Sequence, residues 1–175
     1  RRVLFRSKHD QLSSYFENLK TITQSIAMNS HTITAMRDFS NGFDLFAEPD
    51  EQEQKSIGEY YNDTYMNHYR QLDPGIKAEV VTSYLAGLDK PAQFYQSHYI
   101  SQNPNPLGSK QLLNQAAKKG KFAARYDMYH TTYHPDLRQV QQEFGFYDLF
   151  LVNNDGRVVY SRSEERRVGK ECLRL

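Results

Sequence analysis

Apolar residues near the start of the chain recur at helical spacing. They follow one another three, four or seven positions apart, which predicts an amphipathic helix from Leu12 to Phe43. Residues 29–32 are polar, so we expect a kink or a polar contact there. The apolar stripe fits either a coiled-coil seam or an ordinary core-facing helix. We expect it to lie buried against the next helix, which carries Tyr61 and Tyr65. The stripe consists of Leu12, Phe16, Leu19, Ile22, Ile26, Ile33, Met36, Phe39 and Phe43.

Prolines and glycines divide the middle of the chain. Pro49-Asp50 predicts the start of the second helix, and Asp73-Pro74-Gly75 breaks the chain before a third, short helix from Ile76 to about Ala86. Within residues 84–110, the segment 103–108 contains two Asn-Pro steps and a glycine, which favour turns over regular structure. We therefore predict a long loop there, of the kind that is usually functional or serves as a lid.

The end of the chain has the pattern of a β-hairpin. Bulky, β-favouring residues occur at 146–152 and again at 158–160, with Asn153-Asn154-Asp155-Gly156 between them. Asn, Asp and Gly tolerate the positive φ of a tight hairpin turn. Upstream, Pro135 is placed near the start of a helix that ends at Gly145, with His134 as a helix-entry residue. The predicted fold is mainly α with a small β-hairpin, with helices over residues 8–145 and the hairpin over 146–161.

Both ends of the chain differ from this pattern. Residues 162–172 read RSEERRVGKEC and residues 1–7 read RRVLFRS, and each resembles the translation of a sequencing adapter. We therefore treat 1–7 and 162–175 as artefacts that should pack poorly, and 8–161 as a single domain. The alternative for the C-terminal end is a basic tail.

The composition of residues 8–161 excludes some classes of function. The whole chain has 22 basic and 21 acidic residues, but the ends hold eight of the basic and three of the acidic ones, so the remainder carries a net charge of −4. An acidic domain argues against a nucleic-acid partner, which is bound mainly through clustered Lys and Arg. The single cysteine, Cys172, lies in the excluded end, so thiolate metal sites are excluded and an exported domain is favoured.

The order helix, glycine stop, strand, Asp-Gly turn and strand resembles the entry into a Cache domain. The segments YISQNPNPLGSK, YHTTYHP and FGFYDLFLV, between Tyr95 and Ser161, are similar to the helical sensor region of some Cache-type chemoreceptors and cyclases. The resemblance implies an α+β fold in which a helical bundle leads into a PAS-like sheet, here incomplete because such sheets have about five strands. It also implies a small ligand bound against the sheet, and an N-terminal helix that leaves the membrane and forms a dimer spine.

Two groups of residues are candidates for chemistry. His130 and His134 are four positions apart, which suits either a metal site or a structural, pocket-lining role. Arg138 matches a carboxylate ligand, but a salt bridge to a neighbouring acidic residue, Asp136, Glu143 or Asp148, is the alternative. No catalytic motif, metal site or cofactor site is predicted. The predicted ligand-binding residues are Tyr99, Tyr129, His130, Tyr133, Arg138 and Tyr147.

These observations predict a non-enzymatic sensor. The expected function is ligand sensing in the periplasmic or extracellular part of a bacterial inner-membrane receptor, with chemotaxis as one possible output. The expected partners are a small organic anion or similar metabolite and a second copy of the receptor. The alternatives are a helical scaffold without a small ligand and a metal hydrolase that uses His130 and His134.

Overall fold

The computed structural model describes residues 2–106, 109–113 and 120–162 of the chain. This part is mainly helical and ends in a two-stranded antiparallel sheet, which confirms the predicted α fold with a small hairpin. A π-helical segment joins α3 to α4, another follows α6, and a short 3-10 turn covers Lys110–Leu112. The elements are α1 (Arg2–Met28), α2 (Ser30–Phe43), α3 (Glu51–Glu59), α4 (Met66–Leu72), α5 (Glu79–Gly87), α6 (Lys90–Gln96), α7 (Gly120–Glu143), β1 (Phe150–Val152) and β2 (Val158–Ser161). The π-helical segments are Tyr60–Tyr65 and Ser97–Ser101.

The chain divides into two units between Arg37 and Asp38. In the first unit, α1 ends one residue before Asn29, and the side chain of Asn29 then starts α2 by accepting a 2.8 Å hydrogen bond from the amide of His31. The expected interruption of the stripe is confirmed. Its burial is not, because Leu12 and Phe16 are 58% and 62% exposed. Within this unit, the described residues leave that face of α1 largely uncovered.

The second unit contains an apolar core around the π-helical segment that follows α3. Helix α3 begins with a reciprocal cap. Asp50 Oδ1 accepts a hydrogen bond from the amide of Glu53, and Glu53 Oε2 accepts one from the amide of Asp50. Tyr61 donates a 2.7 Å hydrogen bond to Gln96 of α6, which satisfies a buried hydroxyl. The buried members of this core are Ile57, Tyr60, Tyr61, Met66, Val81 and Ile100.

The end of α2 is buried in an aromatic cluster of the same unit. Phe39 lies 4.8 Å from Tyr160 of β2 and 5.2 Å from Tyr126 of α7, measured between ring centroids. Phe43 stacks on Tyr95 of α6 at 4.9 Å. The last part of the predicted stripe is therefore buried, but its aromatic contacts are with α6, α7 and β2. The expected packing of Phe39 and Phe43 on Tyr61 and Tyr65 was wrong.

Two predicted boundaries are wrong, the first because local capping signals were missed and the second because packing overrides a local preference. Residues 90–101 are helical rather than part of a loop, since Asp89 caps the amide of Ala92 at 2.9 Å and Pro91 occupies the first turn, where proline is tolerated. The second error concerns Pro135, which lies inside α7 instead of near its start. Burial of Tyr133 and Leu137 on either side of it stabilises the continuous helix.

Two glycines with positive φ end the last helix and form the hairpin turn. Gly145, at φ +64°, ends α7, and the amide of Phe146 donates to the carbonyl of Gln141 in the manner of a Schellman motif. Gly156, at φ +77°, supplies the positive φ of the turn. Leu151 pairs with Tyr160, and the register shifts between Leu151 and Val152. The predicted glycine stop and turn are confirmed.

The structure describes only part of the two ends that were predicted to be artefacts. Residues 163–175 lie outside the described residues, as does Arg1. Arg2–Ser7 belong to the backbone of α1. The amide of Arg162 donates to the carbonyl of Leu149, so the ladder continues one residue past β2 into the excluded segment.

Candidate functional site

One face of α7 carries four polar or aromatic side chains at a spacing of four residues. We call this set, Tyr126, His130, His134 and Arg138, the α7 stripe. Residues four apart lie one above the other on a helix, so the stripe forms a single line. Tyr126 donates a 2.6 Å hydrogen bond to the carbonyl of Val159, and His134 Nδ1 lies 2.9 Å from the Tyr160 hydroxyl. The stripe therefore lies against strand β2.

The two histidines of the α7 stripe are stacked inside the protein. Their ring centroids are 4.4 Å apart and the ring planes differ by 17°. Each side chain is only 1% exposed. Tyr99, from the π-helical segment after α6, contacts His130 with its ring centroid at 4.8 Å. The pair is covered on one side by this segment and on another by β2.

A buried carboxyl lies beside the histidine pair. Tyr99 donates a 2.6 Å hydrogen bond to Asp127 Oδ1, whereas Asp127 Oδ2 is buried without a hydrogen-bond partner among the described residues. Burial raises the pKa of Asp127, although the Tyr99 hydrogen bond and the charges of His98 and His130 act in the opposite direction. The carboxyl therefore holds its proton more tightly than an exposed aspartate does.

A third buried histidine lies next to this group. His98 Nδ1 is 2.8 Å from the carbonyl of Phe94, and His98 Nε2 is 3.8 Å from Glu53 Oε1. Both side chains are almost fully buried. The electrostatic influence of His98 on Asp127 connects this pair to the α7 stripe. The site thus gathers several titratable groups in a region of low solvent access.

Arg138 ends the α7 stripe with an unsatisfied donor. Its side chain is half-buried, and its Nε atom is buried without a hydrogen-bond partner among the described residues. The salt bridge from Arg138 to Asp136, Glu143 or Asp148 stays an alternative prediction. One turn further, Gln141 donates to the carbonyl of Phe146 and leaves its own Oε1 buried and unpaired among the described residues. A donor and an acceptor without partners among the described residues therefore lie on adjacent turns of α7.

The six predicted ligand residues separate into three places. Tyr99 and His130 are in contact, and Arg138 lies on the same helix face as His130. Tyr133 and Tyr129 lie against α2 instead. Tyr133 donates a 2.6 Å hydrogen bond to Asp38, and the Tyr129 ring is so close to Gly42 that a Cβ there would lie 3.0 Å from it. Tyr147 precedes β1 and is 75% exposed.

Several participants were missed from the sequence, among them Asp127, Gln141 and Tyr160. Asp127 precedes His130 by three residues, so its helical neighbourhood was a usable signal. Gln141 follows Arg138 by the same spacing. Tyr160 lies 26 residues from His134, and no local pattern connects them. His134 itself was assigned to helix entry, whereas it lies in the middle of α7 and bonds to a strand residue.

The described residues contain no group of three or more His, Cys, Asp or Glu side chains arranged to hold a metal ion. Nor does any helix among them have the length and apolar character needed to cross a bilayer. No protein-family model, curated protein or solved structure matches the chain.

Proposed function

We propose that this chain is part of the ligand-sensing extracytoplasmic region of a bacterial transmembrane signalling receptor, as its resemblance to Cache domains implies. The observation that carries the proposal is Arg138, whose partly buried guanidinium has a buried Nε with no hydrogen-bond partner in the part of the chain that the structure describes. A charged group that is partly removed from water needs a counter-charge or hydrogen bonds to offset its desolvation. A bound anion supplies both.

The chemistry around Arg138 favours a small organic acid. A guanidinium forms a planar fork that matches a carboxylate with two parallel hydrogen bonds. The unpaired Oε1 of Gln141, on the next turn, would accept a hydrogen bond from a hydroxyl or amide group of the same ligand. The ligand class is therefore a short carboxylate that carries a second polar group.

The position of this site suits a sensor. Arg138 and Gln141 lie on the last turns of α7, and Gln141 is bonded to Phe146 at the entry to the hairpin. A ligand bound there would contact the junction between helix and sheet, and would favour one arrangement of the two over another. In the proposed receptor, a longer parent chain supplies the further strands of a PAS-like sheet and closes the pocket.

Calorimetric titration of the complete sensor domain with a panel of short hydroxy, amino and dicarboxylic acids tests this proposal. We expect at least one acid to bind, and Arg138→Ala to abolish binding while circular dichroism shows an intact fold. Arg125→Ala is the matched control, because Arg125 is an exposed arginine on the same helix. Equal affinity of the Arg138→Ala domain would place the site elsewhere, and no binding by any acid would contradict the ligand class.

A second candidate is a helical interaction module without a small ligand. It is favoured by the exposed apolar side chains of α1, among them Leu12 and Phe16. Such a face, repeated at helical spacing, suits self-association through a coiled coil. Sedimentation equilibrium distinguishes this candidate: Phe16→Asp should dissociate a dimer, whereas Ser14→Asp, an exposed position on the opposite side of α1, should not. A monomer at all concentrations would contradict it.

A further inference from the structure

We propose that the side chain of Gln141 couples the ligand site at Arg138 to the attachment of the hairpin. The inference rests on the proposed function for its ligand, and it adds the residue through which that ligand acts on the fold. It follows from the two ends of one carboxamide. The NH2 group binds the segment that enters the hairpin, and the oxygen is buried three residues after Arg138.

Gln141 binds both backbone polar groups of Phe146. The amide of Phe146 donates a 3.0 Å hydrogen bond to the main-chain carbonyl of Gln141. In return, Nε2 of Gln141 donates to the carbonyl of Phe146. Gly145, at φ +64°, turns the chain out of the helix between them. One side chain and its own carbonyl therefore fix the direction in which the chain leaves α7 toward β1.

The contact with Phe146 determines which way the carboxamide is turned. A backbone carbonyl only accepts hydrogen bonds, so the end of Gln141 that faces it is the NH2 group. The other end, Oε1, is buried and has no hydrogen-bond partner among the described residues. Gln141 as a whole is only 8% exposed. Because a buried acceptor without a partner is unfavourable, a ligand that donates to Oε1 stabilises this orientation.

Arg138 supplies the second half of the site. Residues three apart on a helix are neighbours on its surface, so Arg138 and Gln141 lie on one face of α7. A short hydroxy acid matches both side chains, since its carboxylate accepts from the guanidinium and its hydroxyl donates to Oε1. The ligand and Phe146 then bind opposite ends of the same amide group.

This arrangement makes the two events depend on each other. A planar carboxamide cannot turn over without losing the hydrogen bonds at both of its ends. A ligand on Oε1 therefore favours the orientation that holds Phe146, and a held Phe146 favours the ligand by the same factor. One buried hydrogen bond sets that factor at about two- to tenfold.

Other contacts hold other parts of the hairpin. Tyr126 of α7 donates to the carbonyl of Val159 in β2, and Arg157, next to the turn, pairs with Asp89 at 2.9 Å. These contacts hold β2 and the turn, whereas Gln141 holds the segment that enters β1. Loss of the Gln141 contact should thus loosen that segment while β2 stays attached.

Hydrogen exchange on the 175-residue chain tests the hold on Phe146 without a ligand. Gln141→Met keeps the length of the side chain but removes both polar ends, so protection of the Phe146 amide should fall about two- to tenfold. Gln142→Met, the same change at an exposed neighbour, should leave it unchanged. The amide of Ile57, in the other core of the unit, is the internal reference. Equal protection in the Gln141→Met and unaltered chains would overturn the proposal.

Two acids test the coupling in the complete sensor domain. Glycolate carries a carboxylate for Arg138 and a hydroxyl for Oε1, whereas acetate carries the carboxylate alone. Saturating glycolate should raise the protection of the Phe146 amide about two- to tenfold, and acetate at the same ionic strength should not. This comparison uses the unaltered domain, so it decides the question even if Gln141→Met fails to fold. Equal protection in the two acids would overturn the proposal.

Calorimetry on the same samples separates this inference from the proposed function. Binding of an acid that requires Arg138 but leaves the protection of Phe146 unchanged would overturn the coupling and leave the receptor proposal intact. Absence of binding by every acid of the panel would overturn the ligand class and the coupling together.

Discussion

His134 and Tyr160 meet at 2.9 Å between Nδ1 and the hydroxyl oxygen, and this contact joins the middle of α7 to strand β2. Both side chains are almost completely buried. The pair occupies the same aromatic cluster as Phe39, whose ring lies 4.8 Å from that of Tyr160. The attachment of the hairpin to the helices thus combines a buried polar contact with aromatic packing.

Removal of the Tyr160 hydroxyl should weaken this attachment. Tyr160→Phe keeps the ring but deprives His134 of a buried hydrogen-bond partner, which costs about 1–3 kcal/mol. Urea unfolding provides the measurement. Tyr147→Phe makes the same chemical change at a 75% exposed position and should alter stability by less than about 0.5 kcal/mol. Equal effects of the two substitutions would show that the buried contact contributes nothing specific.

The two faces of β1 should respond differently to truncation. Leu151 is 7% exposed and its neighbour Val152 is 47% exposed. Leu151→Ala should therefore cost about 2–4 kcal/mol through lost burial and a cavity, whereas Val152→Ala should cost less than about 1 kcal/mol. Chemical denaturation of both variants measures the difference. A larger loss for Val152→Ala would mean that the strand presents its other face to the core.

Pro135 offers a test of the continuity of α7. Inside a helix, proline removes a backbone hydrogen bond and crowds the preceding turn, so Pro135→Ala should stabilise the protein by about 1–3 kcal/mol. At the first turn of a helix, where proline is well tolerated, the same change would bring no such gain. Met128→Ala, an exposed change on the same helix, is the control and should stay within about 0.5 kcal/mol. A destabilised Pro135→Ala variant would favour a helix that begins at the proline.

Asp127 should give stability a distinct pH dependence. Burial raises the pKa of its carboxyl in the folded protein. A raised carboxyl stabilises the fold fully below its unfolded pKa of about 3.9, and this contribution is lost as the pH rises through the folded value. Asp127→Asn keeps an oxygen for the Tyr99 hydroxyl but cannot ionise, so its stability relative to the unaltered protein should increase from about pH 4 to 7.

Urea midpoints across this pH range measure the trend for Asp127. Asp63→Asn, at an exposed position, should show a much weaker trend. A relative stability of Asp127→Asn that falls as the pH rises would show that the ionised carboxylate is favoured in the fold.

The features that the sequence predicted correctly are those set by short-range chemistry. Asn29 separates α1 from α2, and its side chain caps the start of α2. Gly145 and Gly156 supply positive φ at the end of α7 and at the hairpin turn. The spacing of His130 and His134 likewise predicted their common face, because helical geometry fixes it.

One error arises where tertiary packing overrides a local preference, and another where a local capping signal was missed. Pro135 disfavours a helix interior, but the buried side chains of Tyr133 and Leu137 stabilise the helix through it. The Asn-Pro steps at residues 103–106 do interrupt regular structure. The helix capped by Asp89, however, extends as far as Ser101, immediately before these steps.

Most of the candidate site depends on distant contacts. Tyr99 meets Asp127 across 28 residues and Tyr133 meets Asp38 across 95, and no periodicity in the chain encodes either pairing. The sequence could therefore identify the chemistry of Tyr99, His130 and Arg138 but not the partners of each side chain.

The most direct test of the proposed receptor role is the sequence of the uninterrupted gene at its source locus, read as single long molecules. The proposal predicts a membrane-spanning segment encoded before α1, and further β-strands followed by a signalling domain encoded after β2. It also predicts that the codons for residues 1–7 and 162–175 are replaced by other sequence. A continuous reading frame with neither a membrane span nor a signalling domain would contradict the receptor role.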